Sequence, residues 1–124
     1  MACFIPLQAP SMNVLLQVIW HQRKFETKPE VRLFRTQFKQ FLPVWEPPKE
    51  GRLRVRFTFH QPWYTQTGSI KRQDAPNLIK ACLDALCERY GIDDCRIWDL
   101  TSIKQDDEKV GVFAEMEVMA DGMA

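Results

Sequence analysis

Glycine and histidine are scarce in this chain of 124 residues, which has five glycines and two histidines. There is no Gly-rich or Walker-type phosphate loop, so a nucleotide-binding fold of that kind is disfavoured. His21 and His60 stand alone, without a serine, cysteine or paired carboxylate at an interpretable spacing. Catalytic triads and zinc sites are therefore poor candidates for the chemistry of this chain.

Long apolar runs and paired cysteine motifs are absent as well. The stretch 14–20 is apolar but too short for a membrane span, and without a basic lead-in it does not resemble a signal peptide. The four cysteines include no CxxC pair, which favours reduced thiols. We therefore expect a cytoplasmic protein that has no membrane partner.

The composition indicates one globular domain spanning residues 1–124, with 45% hydrophobic and 27% charged residues. The net charge of +1 hides an asymmetry, because residues 1–80 carry +8 and residues 81–124 carry −7. One half could follow a polyanion while the other supplies carboxylates. Alternatively, the two halves interleave in the fold and neutralise each other.

Hydrophobic periodicity predicts an α+β domain, a small and mostly antiparallel sheet with two main helices. The helices are expected over Lys28–Phe41 and Pro76–Tyr90, with Ala75 as the N-cap of the second and Gly91 just after its end. Strands are expected at Phe4–Leu7, Leu53–Phe59, Arg96–Lys104 and Val110–Val118. The last two would form a meander joined by an acidic hairpin turn, and Gln61–Gln73 would be a functional loop.

The segment between Lys71 and Asp94 contains most of the residues that could carry chemistry. It reads Arg72-x-Asp74-x-x-Asn77-Leu78-x-Lys80, followed by Asp84-Ala85-Leu86, Gly91 and Asp93-Asp94. This order and spacing resemble the RusA-type Holliday junction resolvases, which are endodeoxyribonucleases. Pro10-Ser11-Met12-Asn13 is similar to the Pro-Ser-x-Asn motif that opens that family.

The resemblance implies a homodimeric, Mg²⁺-dependent endonuclease, with Mn²⁺ as a possible substitute, that resolves four-way DNA junctions by paired nicks in recombination and repair. It implies catalytic roles for Asp74, Lys80 and Asp94, with Asp74 and Asp94 as metal ligands, and Asn77 matches the Asn of the motif. Beside these, we expect Asp93 as a further metal ligand, and Asn13, Arg72 and Asn77 as DNA contacts.

One position departs from the family pattern, because Pro76 stands where the family motif Asp-x-Asp-Asn-Leu has its second aspartate. Mg²⁺ is held by few carboxylates, so losing one should weaken its binding. Asp93, Asp84 or an acid elsewhere could fill the gap, or the substrate phosphate could supply the missing oxygen. Otherwise the chain would be a noncatalytic protein that binds branched DNA, and an unrelated α+β interaction protein is a third possibility.

Basic and aromatic side chains suggest where DNA would lie. Arg52, Arg54 and Arg56 alternate with apolar residues on one strand, and together with Lys71 they are predicted to contact phosphates. Trp63 and Tyr64 could stack on unpaired bases. The alternative is a solvated sheet face with ordinary, partly buried aromatics.

The distance along the second helix raises a question about the site. A helix from Pro76 to Tyr90 would be about 22 Å long, so Asp74 and Asp94 are not automatically neighbours. Either the chain doubles back after Gly91, or the Asp74 of one subunit faces the Asp94 of another. The second arrangement is our hypothesis, and it would make activity depend on dimerisation. Lys80 and Asp84 could also simply form a surface ion pair.

Overall fold

A computed structural model describes residues 1–10, 16–19, 24–27, 29–71 and 78–120 of the chain. Six strands and two helices follow one another in these ranges, together with a short 3₁₀ turn at Asp94–Arg96. The elements are β1 (Ala2–Ile5), β2 (Leu16–Ile19), β3 (Lys24–Thr27), α1 (Pro29–Phe41), β4 (Leu53–Gln61), α2 (Ile79–Tyr90), β5 (Ile97–Asp106) and β6 (Gly111–Val118). None of the helices in these ranges is long and apolar enough to cross a membrane.

The main sheet has four strands in the order β1-β6-β4-β5, and β2 pairs with β3 in a separate antiparallel ribbon. Strand β6 is antiparallel to both β1 and β4, whereas β5 runs parallel to β4. The parallel pair needs a long crossover, and α2 lies in that connection. The α+β prediction is thus confirmed, with a sheet that is mostly antiparallel.

The predicted meander and hairpin turn are wrong. Strand β4 lies between β5 and β6, so residues 107–110 cross over the end of β4 instead of forming a hairpin. The backbone N–H of Asp107 donates to the carbonyl of Gln61 at 3.0 Å, and its side chain contacts His60. The alternating pattern identifies strands but not their neighbours, because strand order depends on long-range pairing.

The core lies between one face of the sheet and the two helices. The alternating apolar residues of β4 are all buried, and each is at most 1% exposed: Leu53, Val55, Phe57 and Phe59. Helix α1 contributes Val31, Phe34 and Phe38, and α2 contributes Ala81, Cys82, Ala85 and Leu86. Full burial of one large apolar side chain is worth about 1.5–3 kcal/mol, so this layer supplies much of the stabilisation.

Several predicted boundaries differ from the structure by one to three residues. Strand β1 begins at Ala2 and ends at Ile5, earlier than expected. Helix α2 begins at Ile79 with Leu78 as its N-cap, and Leu78 makes no capping hydrogen bond through its side chain. The expected N-cap, Ala75, lies outside the described residues. Leu78 is fully buried, so its packing in the core helps to fix the start of the helix.

Candidate functional site

Helix α2 carries Lys80 and Asp84 on its exposed side. The ammonium of Lys80 donates to the Oδ1 atom of Asp84 at 3.0 Å, and the two side chains are 52% and 33% exposed. Residues four apart on a helix are neighbours, and the surrounding apolar residues hold the opposite face of α2 against the core. Lys80 is therefore fixed to a rigid element at the surface.

The chain reverses direction at the end of α2. Gly91 has a φ of 63°, in the left-handed region, and its N–H donates to the carbonyl of Cys87. The N–H of Ile92 donates to the same carbonyl at 3.0 Å. A side chain at Gly91 would meet no atom within 4 Å, so its conformation, not close packing, favours glycine there. The prediction that Gly91 ends this helix is confirmed.

Asp93 and Asp94 lie in the turn after this reversal. The Oδ1 atom of Asp93 accepts the backbone N–H of Cys95 at 3.0 Å, and Asp93 caps the 3₁₀ turn that begins at Asp94. This backbone hydrogen bond is the main reason why the pKa of Asp93 is lowered. Asp93 thus has a structural role already, while the side chain of Asp94 is exposed.

Arg96 attaches this turn to the segment before β4. Its guanidinium donates to the carbonyls of Gly51 at 3.2 Å and Pro48 at 2.7 Å. Carbonyl acceptors at two points along the chain define the position of a planar guanidinium well. Arg96 therefore helps to hold Asp94 in place, a role that the sequence pattern did not reveal.

The pKa of the Cys87 thiol is shifted by burial and by the charged side chains on and just after α2. Burial raises its pKa most, and the carboxylates of Asp94 and then Asp84 raise it further, to about 11. Lys80 lowers it, and Asp93 raises it slightly. Asp84, three residues before Cys87 on the helix, and Asp94, in the turn after it, therefore both contribute negative charge near this thiol.

The described acids do not assemble a metal site by themselves. Within residues 1–10, 16–19, 24–27, 29–71 and 78–120, no three His, Cys, Asp or Glu side chains are arranged to hold a metal ion. Carboxylate oxygens such as that of Asp94 are nevertheless the donors that Mg²⁺ prefers. Asp74 lies outside these ranges, as do Pro76, Asn13, Arg72 and Asn77.

The arginines of β4 face the open side of the sheet, but one of them is neutralised. Arg54 donates to Asp99 at 2.9 Å and to Glu117 at 3.1 Å, and these hydrogen bonds raise its pKa. The three side chains, with Arg56 and Glu115, line a concavity of about 430 Å³. This arrangement matches the alternative in which the two charged halves of the chain interleave. It argues against Arg54 as a phosphate contact.

Arg52 and Arg56 differ from Arg54 in their surroundings. The guanidinium of Arg52 lies over the ring of Trp98 at 5.1 Å from its centroid and donates to the carbonyl of Ala120 at 3.2 Å. Arg56 is exposed on the same face. Trp98 is 67% exposed at an irregularity in the β4–β5 register, which the alternating pattern did not indicate.

The described part of the expected loop after β4 forms a compact turn. Tyr64 and Ile70 form an isolated antiparallel bridge, and the N–H of Lys71 donates to the carbonyl of Trp63 at 2.7 Å. Lys71 is thereby held at the end of the described part of this segment, one residue before Arg72. Residues 72–77, which connect it to α2, lie outside the described residues.

Trp63 and Tyr64, the two aromatic residues of this segment, differ in their exposure to solvent. Trp63 is 3% exposed, its indole N–H donates to the carbonyl of Phe59 at 2.9 Å, and Lys104 covers its ring at 4.6 Å. Trp63 is therefore a core anchor and cannot stack on bases without leaving its site, so that interpretation is wrong. Tyr64 is 52% exposed, and the stacking role stays a prediction for this ring.

Comparison with known proteins adds a family assignment to this geometry. The model of the family described as Endodeoxyribonuclease RusA matches residues 17–117, well over half of the chain. The matched range includes α2, the Asp94 turn and the arginines of β4. No curated protein matches the chain.

Proposed function

The chain belongs to the RusA family of endodeoxyribonucleases, of the Holliday junction resolvase type, and from this premise we propose that it resolves four-way DNA junctions by paired, Mg²⁺-dependent nicks. The observation that supports the proposal best is that Lys80 and Asp84, paired on the exposed side of α2, and Asp94, in the turn after that helix, all act on the Cys87 thiol. The helix and the turn after it thus carry an ammonium and an exposed carboxylate, the two groups needed beside a scissile phosphate.

The proposed metal ligands are Asp74, Asp94 and Asp93. Their carboxylates fit Mg²⁺ chemically, and Mn²⁺ is a possible substitute. A bound divalent ion would supply an activated water and stabilise charge on the phosphate. Asp93 would have to share its oxygens with the backbone N–H of Cys95, so we expect it to contribute less than Asp94.

Lys80 is proposed to stabilise the negative charge that develops on the scissile phosphate. An ammonium has three N–H donors, and Asp84 uses one of them, which leaves two for phosphate oxygens. Fixed donors act more strongly in a partly dry site than in water. Lys80 would therefore contribute to the rate more than to the affinity for DNA.

DNA would approach over the basic side chains near this site. We propose phosphate contacts by Arg52, Arg56, Lys71 and Arg72, and further DNA contacts by Asn13 and Asn77. Arg54 was part of the same prediction, but its pairing with two carboxylates leaves it little free charge to offer. Binding should weaken with rising salt, because phosphate contacts release counterions.

We further propose that the whole chain, residues 1–124, acts as one endonuclease domain and forms a homodimer in the cytoplasm. Two equivalent sites related by a two-fold axis suit the pseudo-symmetry of a four-way junction. Within the dimer, Asp74 of one subunit would complete the site of Asp94 in the other. The four free cysteines agree with a reducing compartment.

A second candidate function is binding of branched DNA without cleavage. The observation that favours it is Pro76, which replaces a carboxylate in the family motif, together with the lack of a three-donor metal cluster among the described residues. Such a protein would recognise the junction through its basic side chains. It would hold the junction but not nick it.

A cleavage assay separates the two candidates. A labelled four-way junction and a matched linear duplex are incubated with the protein in Mg²⁺, Mn²⁺ or EDTA, alongside the Asp74→Asn variant. Glu108→Gln, which removes one exposed carboxylate in the turn after β5, serves as the charge-matched control. Metal-dependent nicks lost only in Asp74→Asn support the enzyme. Tight junction binding without nicks supports the binding protein. Absence of both nicking and tight junction binding refutes both candidates.

Restoring the missing carboxylate gives a further test. Pro76→Asp should raise activity at low Mg²⁺ concentration, because an additional ligand strengthens metal binding. Wild-type and variant proteins are compared over a titration of Mg²⁺. If the two curves of activity against Mg²⁺ concentration coincide, the missing carboxylate at position 76 does not limit metal binding.

Mixing subunits tests whether the site is shared. Asp74→Asn and Asp94→Asn proteins are inactive alone if both acids are needed. In a shared arrangement, mixed dimers contain one intact site and regain nicking of one strand. Failure of the mixture to regain activity, with subunit exchange verified by mass spectrometry, would contradict the shared site.

A further inference from the structure

The contact between Lys80 and Asp84 is more than a solvated ion pair: we infer that Asp84 is a positioning residue, which holds the Lys80 ammonium where a scissile phosphate would lie. This inference rests on the proposed nuclease function. The two groups are 3.0 Å apart on consecutive turns of α2, and Asp84 is the less exposed partner. Its backbone belongs to a helix whose opposite face is packed in the core.

The physical reason lies in the flexibility of lysine. A free lysine has a four-carbon stem with many rotamers, and ordering it on the substrate costs affinity or rate. A partner that restricts the ammonium before DNA arrives reduces this cost. Asp84 accepts one N–H and leaves two available, so it restrains Lys80 without using all of its donors.

Asp84 is also poorly suited to replace the carboxylate that is missing at position 76. Its Oδ1 atom already accepts from Lys80, and an ammonium and a divalent cation on one carboxylate repel each other. The positioning role and the metal-ligand role make different predictions. A metal ligand would act whether or not Lys80 is present, whereas a positioning residue acts only through Lys80.

If Asp84 acted only through its negative charge, its loss should improve function and not impair it. Removing a carboxylate near a phosphate-binding lysine makes the site more positive and should help DNA to bind. If positioning dominates, Asp84→Asn lowers kcat by about tenfold, because a misplaced catalytic group is costly, while KM for the junction stays within about twofold. Asp84→Glu, which keeps a carboxylate at the same helical spacing, should restore most of kcat.

Glu88 offers a matched control on the same helix. Its carboxylate pairs with Arg35 and with Lys39 of α1, so Glu88→Gln removes the same charge and breaks ion pairs of similar exposure away from Lys80. Thermal unfolding of Asp84→Asn and Glu88→Gln should be nearly unchanged, because exposed pairs contribute little to stability. Glu88→Gln should keep kcat within about twofold of wild type.

Lysine acetylation tests the pairing without any nuclease reaction. Each protein is treated briefly with acetic anhydride, and the modified fraction of each lysine is measured by mass spectrometry of peptides. In Asp84→Asn, Lys80 should be acetylated about threefold faster than in wild type, while the rate at Lys39 is unchanged. In Glu88→Gln, the rate at Lys39 should rise and the rate at Lys80 should be unchanged. Equal acetylation of Lys80 in wild type and Asp84→Asn overturns the inference.

Single-turnover cleavage with excess enzyme then tests the role through a double-mutant cycle. Asp84→Asn should slow cleavage in the wild-type background but add nothing in the Lys80→Ala background. An equal loss in both backgrounds, or a rise in kcat in the single variant, overturns the positioning role while the nuclease stands. Absence of junction nicking by wild type overturns the nuclease, whatever the acetylation result.

Discussion

Replacement of Trp63 by alanine should destabilise the protein strongly, because the structure places this side chain in the core beneath Lys104. Removing a buried tryptophan costs about 3–5 kcal/mol through lost burial and the cavity left behind. The carbonyl of Phe59 also loses the indole N–H, its partner at 2.9 Å. At about 4 °C per kcal/mol for a chain of this size, the melting temperature should fall by roughly 12–20 °C.

The assay is urea unfolding followed by far-ultraviolet circular dichroism, since fluorescence would change with the tryptophan itself. Tyr64→Ala is the control, because this adjacent ring is 52% exposed and should change stability by no more than about 0.5 kcal/mol. Trp63→Phe should lie between them, keeping most of the apolar volume but leaving the Phe59 carbonyl without its donor. A stable Trp63→Ala protein with weakened DNA binding would refute the core assignment and restore the stacking role.

Three further changes test other parts of the structure. Gly91→Ala should cost about 1–2 kcal/mol in unfolding free energy, purely from the left-handed backbone, and a change near zero would contradict the φ of 63°. Asp94→Asn should speed iodoacetamide labelling of Cys87 at pH 9, because losing a nearby negative charge lowers the thiol pKa; an unchanged rate would place Asp94 away from α2. The pKa of Asp107 is lowered, chiefly by the N–H of Lys109, so its stabilising contribution is complete above about pH 4 and lost below it. Urea unfolding of Asp107→Asn should therefore show a weaker decline on acidification than that of wild type, and identical declines would contradict the shift.

Local patterns predicted the elements of this fold much better than their arrangement. The alternation in β4 and the glycine after α2 identified a half-buried strand and a helix end, because both signals depend on neighbouring residues. The order of the strands was missed, since the crossover of residues 107–110 over β4 depends on pairing between distant segments. The ribbon of β2 and β3 was not predicted either.

The same limit applies to the candidate site, whose residues remain a prediction. Motif spacing singled out the segment with Lys80 and Asp94, and the structure places Lys80 in the first turn of α2 and Asp94 in the turn after its end. Motif spacing could not reveal that Arg54 is neutralised by Asp99 and Glu117, because those acids come from two other strands. Nor could the sequence distinguish the buried Trp63 from an exposed aromatic, since both occur in polar segments.

Paired cleavage of an extruded cruciform in a supercoiled plasmid tests the central claim most directly. Two symmetric nicks at the junction convert the plasmid to a linear product, whereas one nick yields an open circle. The wild-type protein in Mg²⁺ should give the linear product with ends at the cruciform, and Asp94→Asn should give none. No cleavage by the wild type, or cleavage unaffected by loss of the cruciform or of the Asp94 carboxylate, would contradict a junction-resolving nuclease.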